Sequence, residues 1–282
     1  MTKDEAKGII KETFGKAFDE NKFQIFIANL FKEYKTSGFE PHIKDSFKSF
    51  ISKYTIIGNF EDIEGNKIDI LKVALNKSTS LDRARTAQRN FIADYLKTNN
   101  KEAALVAFVS AENKDWRLSL VKLEHSLEVI DDKLKTKEEI TPAKRWSFLV
   151  GENEGNHTVQ SRFMNLLASD ENLNLTELET AFDIEIVTKD FFNKYTELYF
   201  KLKEELDGLL KKDALIKKDF ENKEISTVDF AKKTLGQIVF LYFLQKKGWF
   251  GVPADEEWGD GPKKFIRALF KRRAKYGKNF FN

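Results

Sequence analysis

Residues 69–91 read DILKVALNKSTSLDRARTAQRNF. Asp69 opens an apolar run of strand character, Lys77 follows near its end, and a Ser/Thr cluster leads into a stretch carrying Arg83, Arg85, Gln88 and Arg89. A carboxylate on a strand can hold a divalent cation, an ammonium nearby can steady an activated water, and guanidinium forks suit phosphate oxygens. Asp69 is thereby a candidate metal contact, with Asp62 upstream of it and Lys77 downstream. Three outcomes stay open at this level: the stretch cuts a phosphodiester, holds one, or does neither.

A second basic candidate is PKKFIRALFKRRAKYGK (262–278), with eight Lys/Arg and no Asp or Glu. Lys263, Lys264, Arg267, Lys271, Arg272 and Arg273 are candidate contacts to a nucleic-acid backbone, where neutralising phosphates supplies much of the affinity. The net charge is only +3, so the basicity is local. A charge run is also the ordinary look of a solvated face. Arg85 and Arg89, one helical turn apart, can equally pair with sheet acids such as Asp69, while Gln88 beside them can reach a base or a backbone oxygen.

Other chemistries are excluded early. The chain has no cysteine, which removes disulfides and thiolate-bound metals. His42, His125 and His157 are far apart and show no metal-ligand spacing. The four tryptophans are scattered over expected strands and loops, which reads as packing rather than a stacking platform. The strongest apolar run, IVFLYFL (238–244), is far short of the roughly 18–20 residues of a membrane span. The opening MTKDEAKGIIKE is charged and carries no apolar leader, so the expectation is a cytoplasmic protein.

The elements that must position these residues fall into two groups. FQIFIANLF (23–31) spaces Phe23, Phe26, Ile27, Leu30 and Phe31 along one helical face, and the first fifty residues read as helices. YTIIGNF (54–60) and IDILKVAL (68–75) read as strands around a Gly65–Asn66 turn, a hairpin. A helix is expected from a Ser80 cap, with Ala84, Ala87, Phe91, Ile92 and Tyr95 on its inner face. ALVAFV (104–109), WRLSLVKLE (116–124) and RWSFLV (145–150) add strands, the second turning Trp116, Leu118 and Leu120 to one side. From about Thr188 every strong pattern is helical, including Thr227–Lys247 closed by Gly248. The apolar centre of that last helix predicts a place in the middle of its domain. The fold class expected is α+β (mixed): an α/β domain over 1–180 with a central mixed sheet, then an all-helical domain over 181–282. The apolar ending GKNFFN reads as the front of a longer protein.

Several blocks carry a family resemblance. LDRARTAQRNFIADYL (81–96), ALVAFVSAENKDWRLSLVKLE (104–124) and TPAKRWSFLVGENEGNHT (141–158) resemble the N-terminal region of type IIG restriction–modification enzymes, which join an endonuclease and an adenine-N6 DNA methyltransferase in one polypeptide. FAKKTLGQIVFLYFLQKKGWFGVP (230–253) and WGDGPKKFIRALF (258–270) are similar to the helical connector leading into their methyltransferase. The resemblance implies Mg²⁺-dependent cleavage of double-stranded DNA by a PD-(D/E)xK-type nuclease domain, with Asp62 and Asp69 as the candidate metal-binding pair and Asp69 and Lys77 as the candidate catalytic pair. It implies methylation from S-adenosylmethionine only in the full-length enzyme, and partnership with C-terminal methyltransferase and target-recognition domains.

The residues depart from that pattern at its centre. The methyltransferase's Asn-Pro-Pro-Tyr-type motif is absent, and the glycine pairs Gly248/Gly251 and Gly259/Gly261 do not follow strands. The nuclease pattern needs acid-x-Lys on the strand after the hairpin, where the chain reads Val73-Ala74-Leu75-Asn76-Lys77. Aligning Ala74 and Asn76 loses both groups; sliding by one keeps Lys77 without an acid. Two alternatives to a cutting enzyme therefore stand: a nuclease-fold remnant that serves as a DNA-binding or docking scaffold, and a protein-interaction module.

Overall fold

The computed structural model describes residues 1–77, 79, 81, 84–110, 114–123, 126–130, 133–137, 143–256, 258–259 and 261–272. The chain divides into two units, Met1–Ile184 and Glu185–Asn282.

In the first unit a sheet runs in the order β1 (Lys35–Phe39), β2 (Ile51–Glu61), β3 (Lys67–Leu75), β4 (Ala103–Ser110), β5 (Asp115–Lys122), β8 (Lys144–Gly151). β3 and β4 are parallel, joined by the crossover helix α3 (Arg85–Asn99), and the other pairs are antiparallel. A separate hairpin, β6 (Ser126–Ile130) and β7 (Lys133–Lys137), lies between β5 and β8 in sequence. With the helices, this mixed sheet makes the fold α+β, as the patterns predict.

Both faces of the sheet are covered, which is why β4 is buried along most of its length. Ile57, Phe60, Ile68, Ile70, Trp116, Leu118 and Leu120 pack on one face. There they meet α1 (Lys3–Phe14), α2 (Glu20–Phe31), α4 (His157–Ala168) and α5 (Leu175–Ala181). All five apolar residues expected on the inner face of α2 are buried. On the other face Leu71, Val73, Val106, Phe108 and Val121 pack against Phe91, Ile92, Tyr95 and Leu96 of α3.

Three expectations need correction. The first fifty residues are not all helical: after α2 come the exposed strand β1 and a 3₁₀ turn, Asp45–Phe47. α3 begins at Arg85, capped by Ala84 without a side-chain bond; the expected Ser80 cap lies outside the described residues. Of its expected inner face Phe91, Ile92 and Tyr95 are buried, joined by Gln88, Ala93 and Leu96, while Ala84 and Ala87 are only half-buried.

The second unit holds α6 (Ile184–Lys212), α7 (Ala214–Asn222), α8 (Thr227–Lys246) and α9 (Phe265–Lys271). α6 starts at Ile184, before the Thr188 expected to cap it. Gly248 ends α8 as expected, at φ 72°. The central placement of α8 is not found, however. Val239, Phe240, Leu241, Tyr242 and Phe243 are all exposed. An all-round apolar helix needs covering on all sides, and the described residues do not supply it. No helix among the described residues is long and apolar enough to cross a membrane.

Candidate functional site

Asp69 lies near the start of β3, on the α3 face. Its Oδ2 accepts a 2.6 Å hydrogen bond from the Tyr95 hydroxyl, and Lys101 Nζ lies 2.8 Å from its Oδ1. The carboxylate is 4% exposed and the lysine 21%. Burial, and then the hydrogen bond to Asp69, push the Tyr95 phenol well above its ordinary pKa. Both oxygens of Asp69 are thus already engaged, by a donor that stays protonated and by a cation.

Asp62 is held differently. It follows β2, and its Oδ1 accepts from the backbone N–H of Glu64 (2.9 Å) and Asn66 (2.8 Å). Oδ2 accepts from Asn66 Nδ2 and from the Leu175 N–H at the start of α5, each at 2.9 Å. Burial pushes this carboxyl up, but the bonds from Asn66, Leu175 and Glu64 outweigh it and hold it below its ordinary value.

The expected metal pair is therefore not assembled. Asp62 bonds to α5 on one side of the sheet and Asp69 to α3 on the other. Lys77 is exposed beyond the end of β3. From Asp69 to Leu75 alone is about 20 Å of extended chain. Nor do these residues fit Mg²⁺, which needs convergent oxygens: both oxygens of Asp62 and Oδ2 of Asp69 accept hydrogen bonds, Asp69 Oδ1 pairs with Lys101, and the two carboxylates lie on opposite faces.

The arginines do converge. Arg85 and Arg89 from the first turns of α3, Arg117 of β5 and Arg145 of β8 line a cleft of about 300 Å³ together with Thr86 and Ser147. No carboxylate among the described residues lines it. The sheet register puts Arg117 opposite Phe108 and Leu149, and Ser119 opposite Ser147, on the α3 face. Arg117 is 5% exposed. Arg145 donates from Nε to Ser147 Oγ (3.0 Å) and from Nη1 to the Arg85 carbonyl (2.7 Å), and its guanidinium lies 5.3 Å from the Phe108 ring centre. Burial, then Arg117, Arg85 and Arg89, lower its pKa to about 9. It stays charged at neutral pH, amid mutually repelling guanidiniums. The buried Arg89 Nε and Arg145 Nη2 have no hydrogen-bond partner among the described residues. Asp69 belongs to the same face, in the row Asp69, Ala104, Val121, Arg145. Three strand spacings, about 14 Å, separate it from Arg145.

The remaining candidates scatter. Gln88 is fully buried and donates to the Leu81 carbonyl (3.2 Å), so it cannot reach a base. Lys263 donates to the Gly259 carbonyl (2.9 Å). Lys264, Arg267, Lys271 and Arg272 are exposed around α9. Arg83 and Arg273 lie outside the described residues. The glycine pairs form a tight backbone knot: the Gly261 N–H donates to the Gly248 carbonyl (3.0 Å), and a Cβ on Gly261 would sit 2.3 Å from the Phe250 carbonyl oxygen.

Sequence reasoning missed Arg117 and Arg145. The available signal was Arg and Ser two apart on each of two strands, Arg117/Ser119 and Arg145/Ser147. No protein-family model, curated protein or solved structure matches the chain.

Proposed function

We propose that this chain is a DNA-holding portion of a type IIG-like restriction–modification enzyme. In this reading 1–184 is a nuclease-like scaffold that grips phosphate and does not cut through Asp62, Asp69 and Lys77. The observation that carries it is the cleft lined by Arg85, Arg89, Arg117 and Arg145, in which the buried donors Arg89 Nε and Arg145 Nη2 have no hydrogen-bond partner among the described residues. The Arg145 guanidinium, fixed by the Ser147 hydroxyl and the Arg85 carbonyl, is a preorganised donor for phosphate oxygens. The stretch 69–91 thereby holds: its acid anchors the fold, and its helix presents two of the four arginines.

The exposed cations around α9 add a second backbone contact. Double-stranded DNA is the partner, with methyltransferase and target-recognition regions of the same polypeptide supplying S-adenosylmethionine chemistry and specificity in a cytoplasmic enzyme. Mg²⁺-dependent cleavage by the whole enzyme requires a centre other than Asp62 and Asp69. The exposed apolar belt of α8 favours a second, protein-docking role for 185–282.

The test is duplex DNA affinity by fluorescence anisotropy between about 50 and 200 mM salt, the range over which phosphate-binding cations lose most of their strength. Arg85→Gln/Arg89→Gln should flatten the log–log salt slope by about 2, one unit for each phosphate no longer neutralised. An unchanged slope overturns the reading. Mg²⁺-dependent plasmid cutting that disappears in Asp69→Asn would restore a cleaving site.

A further inference from the structure

The depth and charge of the arginine cleft select among phosphates, and this ligand assignment rests on the proposal that the cleft contacts nucleic acid. Arg117 is 5% exposed. A duplex backbone can run along the exposed rim at Arg85 and Thr86, but only a group narrower than the cleft reaches the floor. About 300 Å³ holds a phosphate with part of its sugar and no double helix.

Charge points the same way. An in-line phosphodiester carries one negative charge and two free oxygens. A phosphomonoester carries about −1.5 to −2 at pH 7 and three acceptor oxygens. Arg89 and Arg145 both line the cleft, and a third acceptor oxygen suits two fixed guanidinium donors better than two oxygens do. Arg89 Nε and Arg145 Nη2 are buried donors left without a hydrogen-bond partner among the described residues, and Ser147 Oγ already fixes Arg145 Nε at 3.0 Å.

We propose that this cleft receives a terminal phosphomonoester, the dianionic end of a nucleic-acid strand, in preference to an in-line phosphodiester. Arg89 and Arg145 donate to the terminal oxygens, and Arg85 and Thr86 border the adjoining backbone at the rim. A free nucleotide or inorganic phosphate offers the same chemistry without the strand.

The test compares one 12-nucleotide strand in three forms, 5′-phosphorylated, 3′-phosphorylated and with both ends hydroxyl, by anisotropy on the whole chain. At least one phosphorylated form should bind about tenfold tighter than the hydroxyl form, as one additional charge-assisted hydrogen-bond set would give. The preference should fall below about twofold in Arg89→Gln and in Arg145→Gln, with Arg89→Lys retaining part of it. If Arg145→Gln fails to fold by circular dichroism, Arg89→Gln alone decides. Equal binding of all three strands overturns the terminal-phosphate assignment and leaves DNA holding intact. Absence of salt-dependent binding to any strand or duplex overturns both. A preference that survives both glutamine variants also overturns it, by placing the terminal phosphate elsewhere. Inorganic phosphate or a mononucleotide that binds tighter than the strand end, and no longer binds Arg89→Gln, supports the dianion site with the free compound as its source.

Discussion

Replacing Lys101 with methionine should destabilise the first unit by about 3–5 kcal/mol, the range for removing one partner of a buried ion pair. The lysine stem is nearly matched in volume by methionine, so packing changes little. What disappears is the cation 2.8 Å from a carboxylate that is 4% exposed. Asp69 would retain the Tyr95 hydroxyl at 2.6 Å as its described partner. Asp69→Asn/Lys101→Met removes both charges and keeps an oxygen to accept from Tyr95. It should cost only about 1–2 kcal/mol, some 2–3 kcal/mol less than Lys101→Met alone. The lysine is about four-fifths buried, so the effect should persist at 1 M salt, where exposed pairs are screened within about 3 Å. Native-state hydrogen exchange of β3 and β4 peptides reads this unit alone. A single variant within 1 kcal/mol of wild type, or a double variant as unstable as the single, would refute Asp69 as a structural anchor.

Asp62→Asn should cost about 2 kcal/mol, because an amide cannot accept from donors at both of its ends. The Asp62 carboxyl is held below its ordinary value, so its contribution is complete above the unfolded pKa of about 3.9 and is lost as pH falls through the folded one. The gap between wild type and variant in urea melts should be flat from pH 5 to 8 and close below pH 4. Gly248→Ala places a Cβ 2.1 Å from the Gly259 carbonyl oxygen at φ 72°. It should loosen the turn after α8 by roughly 1–3 kcal/mol, read as faster limited proteolysis between 248 and 264. Phe240→Ser, at a residue 59% exposed, should shift stability by less than about 0.5 kcal/mol while lowering any self-association seen in sedimentation.

The elements legible in the sequence were those whose apolar spacing had one interpretation. Phe23, Phe26, Ile27, Leu30 and Phe31 fit only a helix, and Trp116, Leu118 and Leu120 only a strand facing a core. The Gly65–Asn66 turn was legible from its residue types, and Gly65 takes φ 84°, a conformation open to glycine. β1 escaped because its five residues are all exposed and carry no alternation. Gln88 was misplaced because small alanines leave the phase of α3 loose; the large residues Phe91, Ile92 and Tyr95 set it, three, four and seven positions on. Arg117 and Arg145 lie opposite core positions on their strands, which alternation reads as a solvent face. α3 covers that face too, and a polar position between two covered layers becomes a site. The exposed belt of α8 could not be foreseen, since composition states what a helix would bury and not what is there to bury it.

The bond from the Leu175 N–H to Asp62 spans 113 residues. It ties the tip of the β2–β3 hairpin to a helix made much later, so the turn at 62–66 cannot gain its last donor when the hairpin emerges. At about 5–20 residues per second of synthesis, the wait is about 6–23 s. During that interval β2 and β3 are a hairpin with an unlatched tip, lacking the helical layer completed by α5. Nascent chains stalled before Leu175 should be cut at this turn by proteases that spare longer ones. The fold thus carries a built-in order of assembly, in which the last helix of the first unit closes a clasp left open by the first hairpin.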